Sequence, residues 1–168
     1  MAEQNNATGM PPRTAAQAVG ELLDWVLTSA LILALLLGTA GGLSQGTLGV
    51  RWSQAALLYA TVGGFAGATV GFIGWAVRVV QRRKGLLLGL PAGVLAGLLA
   101  SVVFWVVAEP IKNQIAQAPE RLLTSLGRGL ESWIGVLPKL ALVETVVALA
   151  LGLIMRIRDS AAMPGRTS

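Results

Sequence analysis

The chain contains no cysteine and no histidine, a single tyrosine, and only 12 % charged residues in 168. Without thiols there is no disulfide, no thiolate nucleophile and no sulfur ligand for a metal. Without imidazole there is no His-based triad and no axial histidine for haem or chlorophyll. The absence of cysteine leaves the redox compartment open. A phosphate-cradling loop followed by Lys-Ser/Thr is missing too, as is any acidic cluster with metal-ligand spacing. No enzyme class and no cofactor is therefore indicated.

What is present is apolar. Hydrophobic residues make up 54 % of the chain, where soluble domains run near 45–50 % with about 25 % charge. The length suits one domain. The net charge of +5 does not point to nucleic acid, because the basic residues gather at the ends of apolar runs, as orientation in a membrane requires. The expected partners are the lipid bilayer and other membrane subunits or a second copy of the chain.

The organising stretch is Ala55–Ala108, two apolar runs joined by Gln81-Arg82-Arg83-Lys84-Gly85. Glycines fall at Gly63, Gly67 and Gly71 on one side and at Gly85, Gly89, Gly93 and Gly97 on the other. Residues four apart share a helix face. Each run thus presents a face without side chains, and the pair reads as an antiparallel hairpin closed by glycine-zipper packing. A second row, Ala60, Gly64 and Ala68, lies beside the first, and Ala92, Ala96 and Ala100 lie beside the glycines of the other run, so each helix can meet two neighbours.

Four spans are expected, at about 22–39, 54–80, 86–108 and 138–155, each near the length needed to cross a bilayer. Residues 1–20 and 159–168 read as flexible tails. Gly38-Thr39-Ala40 mimics a signal-peptidase site, but Glu21 and Asp24 precede the apolar run where a signal would be basic, so a retained helix is expected. It carries the small-residue stripe Ala30, Ala34 and Gly38. Ala40–Ser53 reads as an external loop with Trp52 as an interfacial anchor. The segment 109–137 mixes charges of both signs with apolar residues at three- and four-residue spacing, which predicts an amphipathic surface helix between the third and fourth spans, lying in the outer interface or, by the same pattern, capping the bundle. Pro119-Glu120 is its expected start.

Arg82, Arg83 and Lys84, with Arg78, put the hairpin turn on the cytoplasmic side. Arg156, Arg158 and Arg166 fall on the same side after four spans, so both termini are expected in the cytoplasm of a bacterial-type membrane. Four basic residues in Glu109–Lys139 run against this, three of them interleaved with acids.

Glu144 is the one carboxylate deep in an apolar run, and an intramembrane ionisable group is a functional-site hypothesis by default. Its helix-face neighbours Ala141, Thr145, Ala148 and Gly152 are small, so it is expected to face another helix, with Lys139 or Arg51 in reach. It serves either as an interhelical hydrogen-bonding staple or in proton or ion passage. The five tryptophans read mostly as interfacial anchors.

The glycine-striped hairpin with a basic turn resembles the rotor-ring subunit of rotary ATPases, but its third helix lacks the mid-helix carboxylate of that family. Small multidrug exporters are similar in having four helices and one membrane glutamate, although theirs is on the first helix. Neither family is carried over. The expectation is an all-α integral membrane protein that acts as a non-catalytic scaffolding subunit. The alternatives are a small homo-oligomeric transporter or channel using Glu144, and a membrane-remodelling protein using Glu120–Leu137.

Overall fold

A computed structural model describes residues 14–46, 52–115 and 121–161, and apart from single residues at segment ends they are helical. The elements are α1 (Ala15–Gly46), α2 (Trp52–Lys84), α3 (Leu86–Ile115) and α4 (Leu122–Ala161). All four are long and apolar enough to cross a membrane, and a helix satisfies its own backbone polar groups, as hydrocarbon demands. At 1.5 Å per residue, the 32 residues of α1 span about 48 Å and the 40 residues of α4 about 60 Å, against ~30 Å of hydrocarbon.

The helices outrun the predicted spans, and each extension has a local cause. α1 begins two turns before Leu22, within the expected tail. The Thr14 amide donates to the Gln17 side-chain oxygen (3.1 Å) and the Gln17 amide donates to the Thr14 hydroxyl (3.3 Å), a reciprocal capping box. At its other end α1 continues through Ala40–Gly46, where a loop was expected. Gly41 faces Tyr59 and Gly42 faces Ala56, so packing on α2 overrides the low helix propensity of glycine. Residues 47–51, Arg51 among them, lie outside the described residues, and Trp52 and Ser53 of the expected loop open α2.

The segment 109–137 does not form a separate surface helix. Its first part belongs to α3, which runs through Pro110, and its second to α4, which runs through Pro138; the predicted start at Pro119-Glu120 lies outside the described residues. Gly129, whose helix propensity is low, sits against the Val106 Cα, 3.0 Å from where a Cβ would be. Asn113 donates to the Ser125 hydroxyl at 3.1 Å. α3 and α4 thus remain paired beyond the apolar runs.

α2 is the axis of the molecule: α1 packs on α2 alone, whereas α3 and α4 pack on α2 and on each other. The two faces of α2 differ in kind. Gly63, Gly67 and Gly71 approach the α1 backbone in antiparallel step. Added Cβ atoms there would lie 3.0 Å from the Ala34 Cα, 2.7 Å from the Ala30 Cα and 2.8 Å from the Val26 Cα, respectively. Further along, Gly38 of α1 meets Ala60, and Gly42 meets Ala56. The glycine row of α2 therefore faces α1 and not its hairpin partner, and Ala60 and Gly64 of the second row face the same helix.

The hairpin closes differently. Gly89, Gly93 and Gly97 of α3 receive the side chains of Gln81, Val77 and Ile73, so α2 supplies knobs and α3 the holes. Ile73, Val77 and Ala148 form the core, with Leu90, Val94, Val147 and Leu151 around it. Gly85 is not part of this row. A Cβ there would meet nothing within 4 Å; its φ of 81° and the Gly85 amide bond to the Gln81 carbonyl (2.9 Å) make it the left-handed cap that ends α2.

Gly67→Ala drives a methyl into the α1 backbone, which cannot rotate away, and is expected to cost about 1–3 kcal/mol. Gly89→Ala meets Gln81 Cβ and the Val77 carbonyl at 3.2 Å and is expected to cost less than about 1 kcal/mol. Reversible unfolding in mixed micelles measures both, and equal losses would contradict this division of the α2 surface.

Candidate functional site

Among the described residues, buried polar side chains meet in the middle of the apolar runs between α3 and α4. Glu144 is 4 % exposed and Ser101 2 % exposed. Glu144 shares the buried face of α4 with Ala148 and Gly152, whereas Thr145 is exposed. Its carboxyl carbon lies 2.9 Å from the position of a Cβ on Gly97, where Ile73 also converges. Gly97 stands at the middle of the apolar run 86–108, so the carboxyl is level with the centre of α3, deeper than its distance from Lys139 along the sequence suggests. Any side chain at position 97 would occupy the space of the carboxyl.

The polar connections around it are specific. The Trp133 indole donates to the Ser101 hydroxyl at 3.0 Å, and that hydroxyl donates to the Leu98 carbonyl at 2.9 Å. Ser101 lies close enough to the Glu144 carboxyl to interact with it. A hydroxyl has one proton, and here the Leu98 carbonyl takes it. In that rotamer Ser101 offers Glu144 a lone pair, and rotated toward the carboxyl the same hydroxyl can donate to it. Neither carboxyl oxygen has a hydrogen-bond donor among the described residues. Lys139 is exposed and does not reach the carboxyl, and Arg51 lies outside the described residues. The staple expectation keeps a partner across the α3–α4 contact, the Ser101 hydroxyl. A carboxyl in this setting is satisfied by holding a proton, which it can donate to the Ser101 oxygen, or by a cation or water entering beside it.

Ser101 and Trp133 are not singled out by the sequence reading. Ser101 carried a signal nonetheless: it is the only hydroxyl in the third apolar run and falls one step beyond Gly97 on the Gly89–Gly93–Gly97 row. Trp133 carried none, because the amphipathic pattern around it reads equally as an interfacial anchor. Other tryptophans depart from the anchor expectation as well. Trp25 packs on Gly74, with the Arg78 guanidinium 5.8 Å from its ring centroid, while the indole nitrogens of Trp75 and Trp105 are buried without partners. Trp52 is exposed, as an anchor would be.

The predicted packing glycines do not assemble into one site. Gly63, Gly67 and Gly71 lie on the α1–α2 contact, Gly89, Gly93 and Gly97 on α2–α3 with Gly93 and Gly97 also meeting α4, and Gly85 on none; Gly97 is the one set against Glu144. Arg82, Arg83 and Lys84 form the last turn of α2, far from the carboxyl. No group of three or more metal-ligating side chains occurs among the described residues. No protein-family model, curated protein or solved structure matches this chain.

Because both carboxyl oxygens lack donors, Glu144→Met is expected to relieve about 1–3 kcal/mol of desolvation and to raise the thermal midpoint in detergent. A loss of stability of that size would show that the carboxyl is satisfied, by the Ser101 hydroxyl, an ion or water.

Proposed function

We propose that this chain is a non-catalytic membrane subunit that stabilises a larger membrane complex by packing its helices, through glycine and other small residues, against those of a partner. The observation that carries this reading is the open seam between α1 and α2. Ala34, Gly38 and Gly42 of α1 with Ala56 and Ala60 of α2 line an apolar groove of about 740 Å³, beside a helix that has only one neighbour. Small residues let backbones approach, and such contact drives helix association in lipid, where apolar surface alone does not. The groove therefore suits an apolar helix of another subunit. Gly63, Gly67, Gly89, Gly93 and Gly97 take part in the packing of the chain itself and support the partner surface from within. The same reading puts the Arg82–Lys84 end and both termini in the cytoplasm of a bacterial-type membrane, because Arg78, Arg156 and Arg158 lie at that end too.

Thr39 lines the groove, and its hydroxyl bonds only to carbonyls of its own helix. Thr39→Trp is expected to fill the groove without disturbing α1 on α2, lowering co-purification of partner subunits in mild detergent by roughly tenfold at unchanged thermal stability. Co-purification equal to that of the unaltered chain would remove the support for this surface.

A second reading is favoured by one observation, the donor-less Glu144 carboxyl at mid-membrane depth. In this reading the chain is a small homo-oligomeric transporter or channel in which Glu144 passes a proton or a cation. Glu144→Gln keeps the shape and removes the titratable group. In proteoliposomes with an imposed proton gradient it is expected to abolish flux while leaving oligomer size intact. Equal flux from both proteins would discard the reading.

A further inference from the structure

At the end of the molecule where α2 and α4 terminate, helices α1, α2 and α4 enclose a cleft of about 670 Å³. Arg78 and Arg82 line it from α2, Arg156 and Arg158 from α4, and Asp159 is the only acid on its walls. Four guanidinium groups against one carboxylate leave the concavity net positive, and a cleft with an excess of one charge sign concentrates counter-ions of the other. Helix dipoles favour cations near helix C-termini, but the effect fades within a turn. Arg78 lies more than a turn inside α2. It is held instead by the face of Trp25, 5.8 Å from the ring centroid, a stacking geometry open to guanidinium.

The cleft is not uniformly polar. Leu151 and Met155 contribute to its walls, and so does Ile154, which is 60 % exposed, so the basic chamber opens onto the apolar outer surface of α4. On its floor Gln81 donates to the Gly152 carbonyl at 3.4 Å, while its own side-chain oxygen is buried without a donor. A phosphodiester needs forked donors, which arginine supplies. An acyl chain needs an adjoining apolar wall. A headgroup hydroxyl would find its acceptor in Gln81. Basic pockets between membrane helices are known to recognise anionic headgroups on these terms.

We infer that this cleft seats the phosphate of an anionic phospholipid, its headgroup among Arg78, Arg82, Arg156 and Arg158 and its acyl chains running out past Ile154. A diffuse basic belt would predict something else: Arg83 and Lys84 belong to the same end of the molecule and are as exposed as Arg82, Arg156 and Arg158, yet they do not line the cleft. That difference provides the control.

The test uses the full chain, delipidated in mild detergent and offered equal amounts of phosphatidylglycerol and phosphatidylcholine, with bound lipid counted by native mass spectrometry. Phosphatidylglycerol is expected to be retained in preference. Arg156→Gln with Arg158→Gln is expected to weaken that preference by about thirtyfold, and Arg83→Gln with Lys84→Gln to leave it unchanged. Arg78→Gln, on a different helix, is expected to weaken it as well, which keeps the test open if the α4 variant fails to fold. Equal losses from the cleft pair and the control pair would overturn the inference in favour of a basic belt. Absence of preference for the anionic lipid would overturn it outright. Displacement of bound lipid by millimolar inorganic phosphate would reassign the cleft to a soluble anion and overturn the lipid assignment.

Discussion

The approach of α1 to α2 across glycine, backbone against backbone, is the contact on which the rest of the molecule depends. In lipid the hydrophobic effect gives no reason for one apolar helix to prefer another over acyl chains, so association rests on how closely two surfaces fit. Gly63, Gly67 and Gly71 let the α1 main chain lie where their side chains would be. This leaves the opposite face of α2, with Ile73, Val77 and Gln81, to project into the glycine holes of α3. A helix that is a groove on one side and a ridge on the other can bind two unlike partners. That asymmetry makes α2 the centre of the molecule and leaves α1 at its edge.

Placing Glu144 follows from the same economy of side chains. Gly97 vacates the space that the carboxyl occupies, and Ala148 and Gly152 keep the rest of that face of α4 close to its neighbours. The group is therefore buried by helix packing, beside a Ser101 hydroxyl that bonds to the Leu98 carbonyl and in that arrangement gives the carboxyl no donor. Buried polar atoms in folded proteins are nearly always satisfied. One that is not, at the centre of a membrane-length helix, is where a mobile proton or cation would be most useful. The cationic cleft at the C-terminal end of α4 is the complementary case, with positive charge gathered at the end of the apolar runs.

Much of the architecture was legible in the residues. Four apolar runs and the Arg82–Lys84 corner define four helices and one tight turn, because hydrocarbon thickness and backbone hydrogen bonding leave few other solutions. The Thr14–Gln17 capping box was legible as well but lay inside a stretch dominated by Pro11-Pro12 and polar residues. The segment 109–137 misled for a physical reason. Amphipathic spacing signals a helix with one wet and one greasy face, but it does not say whether the greasy face lies on lipid or on the neighbouring helix. Gly129 against Val106 and Trp133 on Ser101 show that it lies on α3.

The sequence alone determined that the chain is helical, that its helices are long and apolar enough for a bilayer, and which residues leave their helix faces bare. These are properties of single helices, set by composition and by the 3.6-residue period. Which bare face meets which neighbour was decided only by the tertiary structure, because a glycine row accepts a backbone or a side chain equally well and carries no label for either. Gly67 on α1, Gly93 around Val77, and the meeting of Glu144 with Ser101 and Gly97 all arise from helices brought together across long stretches of chain, and pairwise fit of that kind is not written into any one of them.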